Sequence, residues 1–169
     1  MASVVVPKSL GTEALREFKR ALEEALANPH LRVLMLRGDV AGFSSGMDLS
    51  EIAETAPPEA GAEPRPFEAA TAAFVEVLEL LLRATPITLG VVEGPAMGGG
   101  VGLAAACDLV IATENASFAL PELVLGLVPA MILPVLAGRL GLHRAKRWAI
   151  TGATWEAGEA TQQGLVDQK

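Results

Sequence analysis

Apolar residues recur every three or four positions through TEALREFKRALEEALA. This puts Leu15, Phe18, Leu22, Ala25 and Leu26 on one face and predicts an amphipathic helix over 12–27. Thr12 is its expected N-cap, and Asn28-Pro29 its stop. RVLMLRG (32–38) is a short apolar run closed by glycine, which predicts a buried strand. The loop DVAGFSSGM follows, and Asp48 is placed as the cap of a short helix through about Glu54. Helical spacing returns from about Phe67 to Arg83, with Phe67, Ala70, Phe74, Val77, Leu78 and Leu81 on one face. Next come a strand at 87–94, a glycine turn, a short helix to about Ala106 and a strand at 108–113. Residues 116–130 mix extended and looped segments, helices are expected at roughly 131–140 and 143–150, and GATWEAGEATQQGLVD reads as turn, helix, strand. Strands alternating with helices predict an α/β fold with parallel strands, in one domain over 1–169.

Composition sharpens this picture. Hydrophobic residues make up 51% of the 169, which argues for a packed core and against disorder. Tyrosine is absent and aromatics are 4%, so that core is built from Ala, Val and Leu. Residues 55–66, TAPPEAGAEPRP, carry four prolines and predict a mobile surface loop. The single Cys107 excludes an internal disulfide framework and reads as a buried, inert thiol. No apolar run reaches 18 residues and no leader pattern is present, so the expectation is a soluble cytoplasmic chain with no membrane partner. A net charge of −7 argues against a nucleic-acid partner. His30 and His143 stand far apart with no Cys/His cluster, so no metal site is expected.

The chemistry lies in the glycines. Twice a strand feeds a glycine-containing loop that opens a helix, around Gly46 and around Gly98–Gly100. A tight turn with close helix packing would explain either loop alone. Gly100-x-Gly102-x-x-Ala105, with Glu114 after the next strand, fits a dinucleotide fingerprint, but GPAMG interrupts the strand-to-glycine step and FSSGMD stays unexplained. A third reading uses both loops: two backbone N–H groups converge on a carbonyl oxygen that becomes an enolate, with glycine letting the substrate lie against bare backbone.

FSSGMDL and, about fifty residues on, VEGPAMGGGVGLAAACDLVIATENASFALPELVLGLVPA resemble the two signatures of the crotonase (enoyl-CoA hydratase/isomerase) superfamily. The resemblance continues through TGATWEAGEATQQGLVD and covers most of the chain. It implies a spiral of ββα units with a helical C-terminal part, shortened here at both ends and without the first strands before helix 12–27. It also implies a homotrimer, and a thioester substrate on coenzyme A or an acyl carrier protein with no further cofactor. By position, the oxyanion donors are the N–H groups of Met47 and Gly99, with Phe43, Ser45, Gly46, Met97, Gly98, Gly102 and Leu120 around the substrate.

Two-acid hydratases of that superfamily place one glutamate two residues after the triple glycine and the other in a PE pair twenty residues later. Here these positions hold Gly102 and Glu122. Glu122 is therefore the expected proton shuttle, its pKa raised by the neighbouring Ala119, Leu120, Leu123 and Val124. Asp48 is a second acid near the thioester, although helix capping also accounts for it, and Gly102 is expected to leave an empty volume beside Glu122. GMDL, this glycine and PELVLGLVPAMILPVLAGRLGLHRA most resemble the dehydratases of polyketide β-branching cassettes. These eliminate water from a carrier-bound 3-hydroxy-3-methylglutaryl group to give the 3-methylglutaconyl thioester. The alternatives are a Δ3,Δ2-enoyl thioester isomerase, a decarboxylase, and a non-catalytic module that binds thioesters or carriers.

Overall fold

The computed structural model describes residues 1–39, 42–48, 50 and 66–169. The expected helix end at Glu54 and the proline-rich segment 55–66, apart from Pro66, lie outside the described residues. Along the chain come β1 (Ala2–Val5), α1 (Thr12–Leu26), β2 (Val33–Arg37), α2 (Pro66–Leu82), β3 (Ile87–Val92), β4 (Pro95–Met97) and α3 (Gly99–Ala105). Then follow β5 (Leu109–Ala112), β6 (Ser117–Ala119), a 3-10 turn (Pro121–Leu125), α4 (Leu133–Leu140), α5 (Leu142–Thr151), β7 (Trp155–Glu156) and α6 (Ala157–Gln163).

Among the described residues, β1-β2-β3-β5 form one fully parallel sheet, and β4-β6-β7 a smaller one in which β7 joins antiparallel. The α/β class with mainly parallel strands is as the pattern predicts. The details differ in four places. A strand does precede α1: Ala2–Val5 pairs with Leu34–Arg37. Thr12 is the first helical residue and not the cap; Gly11 takes the extended cap conformation (φ −82°, ψ 169°). The expected glycine turn contains β4, whose three residues pair with Ser117–Ala119. The last strand comes before α6 as Trp155–Glu156, while Gln168 only bridges to Ile111.

Helix α1 buries Leu15, Phe18 and Leu22, and α2 buries Phe74, Val77, Leu78 and Leu81. Each such side chain contributes about 1.5–3 kcal/mol when removed from water. The two helices pack together, and Lys19 reaches Glu76 at 2.7 Å across their exposed edge. Thr88 and Asp108 lock the starts of β3 and β5: the Thr88 N–H and hydroxyl both donate to Asp108 Oδ2 at 2.8 Å, and the Asp108 N–H donates to Thr88 Oγ1 at 2.8 Å. Asp108 is thus structural. Among the described residues no helix is long and apolar enough to cross a membrane.

Arg139 on α4 ties the C-terminal segment to the sheet. Its guanidinium donates to the carbonyls of Leu165 and Cys107, each at 2.8 Å, and to the Asp167 carboxylate. Asp167 in turn accepts the Val110 N–H at 2.7 Å. Only 12% of the Arg139 side chain is exposed, so removing it takes the donor from the Leu165 and Cys107 carbonyls, while Asp167, 42% exposed, keeps the Val110 N–H. Arg139→Ala is expected to cost about 1.5–3 kcal/mol in chemical denaturation, the range for hydrogen bonds from a charged group to partly buried partners. A loss below about 0.5 kcal/mol would show the clamp to be solvent-compensated.

Candidate functional site

The segment Phe43–Met47 has no helix or strand of its own, yet both of its sides are held. On one side Ser45 N–H donates to Lys8 O (2.7 Å), Leu10 N–H to Gly46 O (2.9 Å) and Ser44 Oγ to Pro7 O (2.8 Å). On the other, Phe43 N–H donates to Pro95 O and Met97 N–H to Ser44 O, both at 2.9 Å. Gly46 is in the left-handed region (φ +86°), and a Cβ built on it would stand 2.7 Å from Met97 O and 3.3 Å from Gly99 N. The two glycine loops therefore touch, and only glycine fits between them.

This packing leaves two N–H groups over. Ser45, Gly46 and Asp48 donate to Lys8 O, Ser44 Oγ and Leu10 O respectively, whereas the Met47 N–H has no acceptor among the described residues. In the second loop Gly98 N–H donates to Ala119 O and Gly102 N–H to Gly98 O. Gly99 is the first residue of α3, so its N–H has no intrahelical acceptor. Met47 and Gly99 line the same cavity of about 290 Å³, together with Ser45, Gly46, Gly98 and Glu122. Most of the remaining wall is apolar, formed by Phe74, Pro121 and the stretch from Leu127 to Ile132, with Thr71 the polar exception.

Glu122 enters from the 3-10 turn, with Pro121 at its start and a left-handed Gly126 (φ +72°) closing it. Its backbone carbonyl accepts the Leu127 N–H at 2.8 Å. The carboxylate lies against Gly98, where a Cβ would come within 3.0 Å of Oε1. Its other oxygen, Oε2, is buried and accepts no hydrogen bond among the described residues. Burial pushes the Glu122 carboxyl above its ordinary pKa, opposed in part by its own backbone N–H. The apolar surroundings are only partly those the sequence suggests: Ala119 and Leu120 are buried, but Leu123 is 42% and Val124 85% exposed, and Phe74 and Ile132 belong to the low-polarity wall.

Ser45, Gly46, Met47, Gly98, Gly99 and Glu122 thus meet in one place, and other expected site residues do not. Phe43 and Leu120 are buried in the hydrophobic core, and Met97 turns outward from β4; none of them lines the cavity. Asp48 is also outside the lining. Its Oδ1 accepts the Ser50 hydroxyl (2.6 Å) and N–H (3.0 Å), bonds that hold its pKa below the ordinary value, so it caps a turn and is not a second acid.

Gly102 leaves no empty volume: a Cβ there would overlap Ile132 Cγ2 and lie 3.0 Å from Ile132 Cβ. Sequence reasoning missed Ile132 because it fell at the start of the helix expected over 131–140, with nothing to mark it for the site, and missed Phe74 as a site residue because its helical spacing explains it fully as core. Cys107 is buried and its thiol is pushed up to about 12 by desolvation, which removes it as a nucleophile. Among the described residues no three His, Cys, Asp or Glu side chains gather as a metal site.

Two unpaired N–H groups beside one desolvated carboxyl, in an apolar cavity, suit a carbonyl that gains negative charge while a proton moves on the adjacent carbon. The chain is 37% identical over 145 residues to the Enoyl-CoA isomerase/hydratase fer4 of Mycosarcoma maydis, covering 82% of this chain and 49% of that protein. It is 30% identical over 160 residues to the 4-chlorobenzoyl coenzyme A dehalogenase-1 of an Arthrobacter species, covering 92% and 56%. Among solved structures, it matches an enoyl-CoA hydratase/isomerase from Marinobacter aquaeolei with a TM-score of 0.83 at 34% identity, over 95% of this chain and 60% of that one. Pseudomonas aeruginosa AtuE matches with a TM-score of 0.82 at 36% identity, over the same shares. The chain spans between 49% and 60% of the length of these relatives. The family profile for enoyl-CoA hydratase/isomerase matches residues 6–169, nearly the whole sequence. With this fold and this two-loop site, the chain belongs to the enoyl-CoA hydratase/isomerase family.

Proposed function

We propose that this chain carries the site of a lyase acting on a thioester held by coenzyme A or an acyl carrier protein, and that it dehydrates a 3-hydroxy-3-methylglutaryl group to the 3-methylglutaconyl thioester. The observation that carries the reading is the buried, unpartnered Oε2 of the Glu122 carboxylate beside the free N–H groups of Met47 and Gly99. The thioester oxygen accepts both N–H groups. The Glu122 carboxylate takes the α-proton, and the charge passes to the oxygen as an enolate. As the enolate collapses, the α–β double bond forms and the β-hydroxyl leaves, taking a proton from the Glu122 carboxylic acid. Water departs and the carboxylate is restored. One acid serves both proton transfers, so the chemistry needs no cofactor.

The same single carboxylate supports a second reading, a Δ3,Δ2-enoyl thioester isomerase, in which Glu122 returns the proton to the γ-carbon instead. The family resemblance also supports a homotrimer, which light scattering of the purified protein tests directly. Incubation with 3-hydroxy-3-methylglutaryl thioester, on coenzyme A and on a carrier protein, followed by mass, and with a Δ3-enoyl thioester, followed by proton NMR because isomerisation leaves the mass unchanged, separates the readings. Loss of 18 Da, about one water, is the expected result. Isomerisation of a Δ3-enoyl thioester without that loss selects the isomerase. Binding without turnover of any of these contradicts both.

A further inference from the structure

Ile132 stands between Gly102 and the cavity. Gly102 is fully buried in α3 and does not itself line the cavity. The direction a side chain would take from it leads to Ile132 and, at 3.5 Å, to Phe74 Cζ, and both of these residues do line the cavity. Ile132 is 2% exposed and precedes α4 as its N-cap, its carbonyl accepting the Leu136 N–H at 2.9 Å. A β-branched side chain so held is stiff at χ1 and cannot swing aside. Position 102 therefore has no open route toward the reacting centre.

We propose that Ile132 is a specificity-determining residue of this site, filling the space that a second carboxylate at position 102 would need and presenting an apolar wall to the acyl group in its place. The proposal rests on the thioester reading above. Gly102 and Ile132 act as one steric unit: a longer side chain at 102 is tolerated only if residue 132 is shortened. Shortening 132 alone opens room for a bulkier acyl branch. The wall also excludes a second, carboxylate-held water, which favours proton transfer by Glu122 alone over two-acid hydration of a linear enoyl thioester.

The test compares wild type, Ile132→Val, Ile132→Ala, Gly102→Ala and the Gly102→Ala/Ile132→Ala double variant. Specificity constants are measured for hydration of crotonyl-CoA and of 3-methylglutaconyl-CoA, with thermal melting alongside. Ile132→Ala should shift the ratio of the two constants toward the branched substrate by about 10-fold or more, the scale for a methylene or two in a hydrophobic pocket, and Ile132→Val in the same direction by less. Gly102→Ala should lower the melting temperature in wild type and much less in the Ile132→Ala background, because contacting residues couple. A ratio unmoved in both Ile132 variants while wild type turns over, or equal melting shifts in the two backgrounds, overturns the assignment to Ile132 and leaves the thioester reading standing. A wild type that neither binds butyryl-CoA nor turns over either substrate overturns the thioester reading, and this assignment with it.

Discussion

Glu122→Gln will lower turnover of the thioester substrate by about 10²- to 10⁴-fold, the range for loss of a group that gives and takes the proton. The substitution keeps the shape against Gly98, so binding of butyryl-CoA should stay within a few-fold of wild type. A fall in kcat with binding retained is the signature of a catalytic carboxyl; a matched loss of both would point to a merely structural one. The pH dependence follows from burial. The carboxylate form starts the reaction, so kcat/KM should rise with pH through the Glu122 pKa, and burial places that limb above the ordinary carboxylate range.

Stability should run the other way. The folded protein binds this proton more tightly than the unfolded chain does. The stability from the protonated form is therefore present below the unfolded pKa and lost as pH rises through the raised folded pKa. Glu122→Gln removes that loss, so its melting temperature should exceed wild type at neutral pH, with the gap closing on acidification. A variant no more stable than wild type at neutral pH would mean that Oε2 is not desolvated in solution.

The second large effect is expected at a residue with no functional group. Gly46→Ala puts a Cβ 2.7 Å from Met97 O at a φ of +86°. The obstacle is backbone on both sides, so the loops must part. Met47 follows Gly46 directly and Gly99 N lies 3.3 Å from the new Cβ, so the two free N–H groups move apart first. Loss of one oxyanion donor typically costs about 10²–10³ in kcat, and turnover should fall on that scale. Gly138→Ala is the control: it replaces a glycine within α4, a Cβ there meets nothing within 4 Å, and turnover should be unchanged. Wild-type turnover in a folded Gly46→Ala protein would remove the paired N–H groups from the mechanism.

The long helices were legible because their periodicity is the same fact as their packing: Leu15, Phe18 and Leu22 are spaced for one face and all three are buried. The strands of the larger sheet are legible as apolar runs, except β1 (Ala2–Val5). The smaller sheet was not legible, because β4, β6 and β7 are two or three residues long and exist only through each other. The two loops and Glu122 could be found by motif, since their chemistry needs specific residue types at specific spacings. Which neighbours stand around them could not. Phe43, Leu120 and Met97 stand within two residues of site residues in sequence yet face elsewhere, Phe43 and Leu120 into the core and Met97 outward from β4. Ile132 reaches the site from thirty residues beyond Gly102, through a tertiary contact that no local pattern encodes.

The most direct test of the account is the crystal structure of this protein with butyryl-CoA, a thioester that can enolise but has no leaving group. The thioester oxygen is expected at about 3 Å from both Met47 N and Gly99 N, with the α-carbon beside the Glu122 carboxylate. A carbonyl bonded to neither N–H, or an acyl chain lying outside the cavity between Phe74 and Ile132, would contradict it.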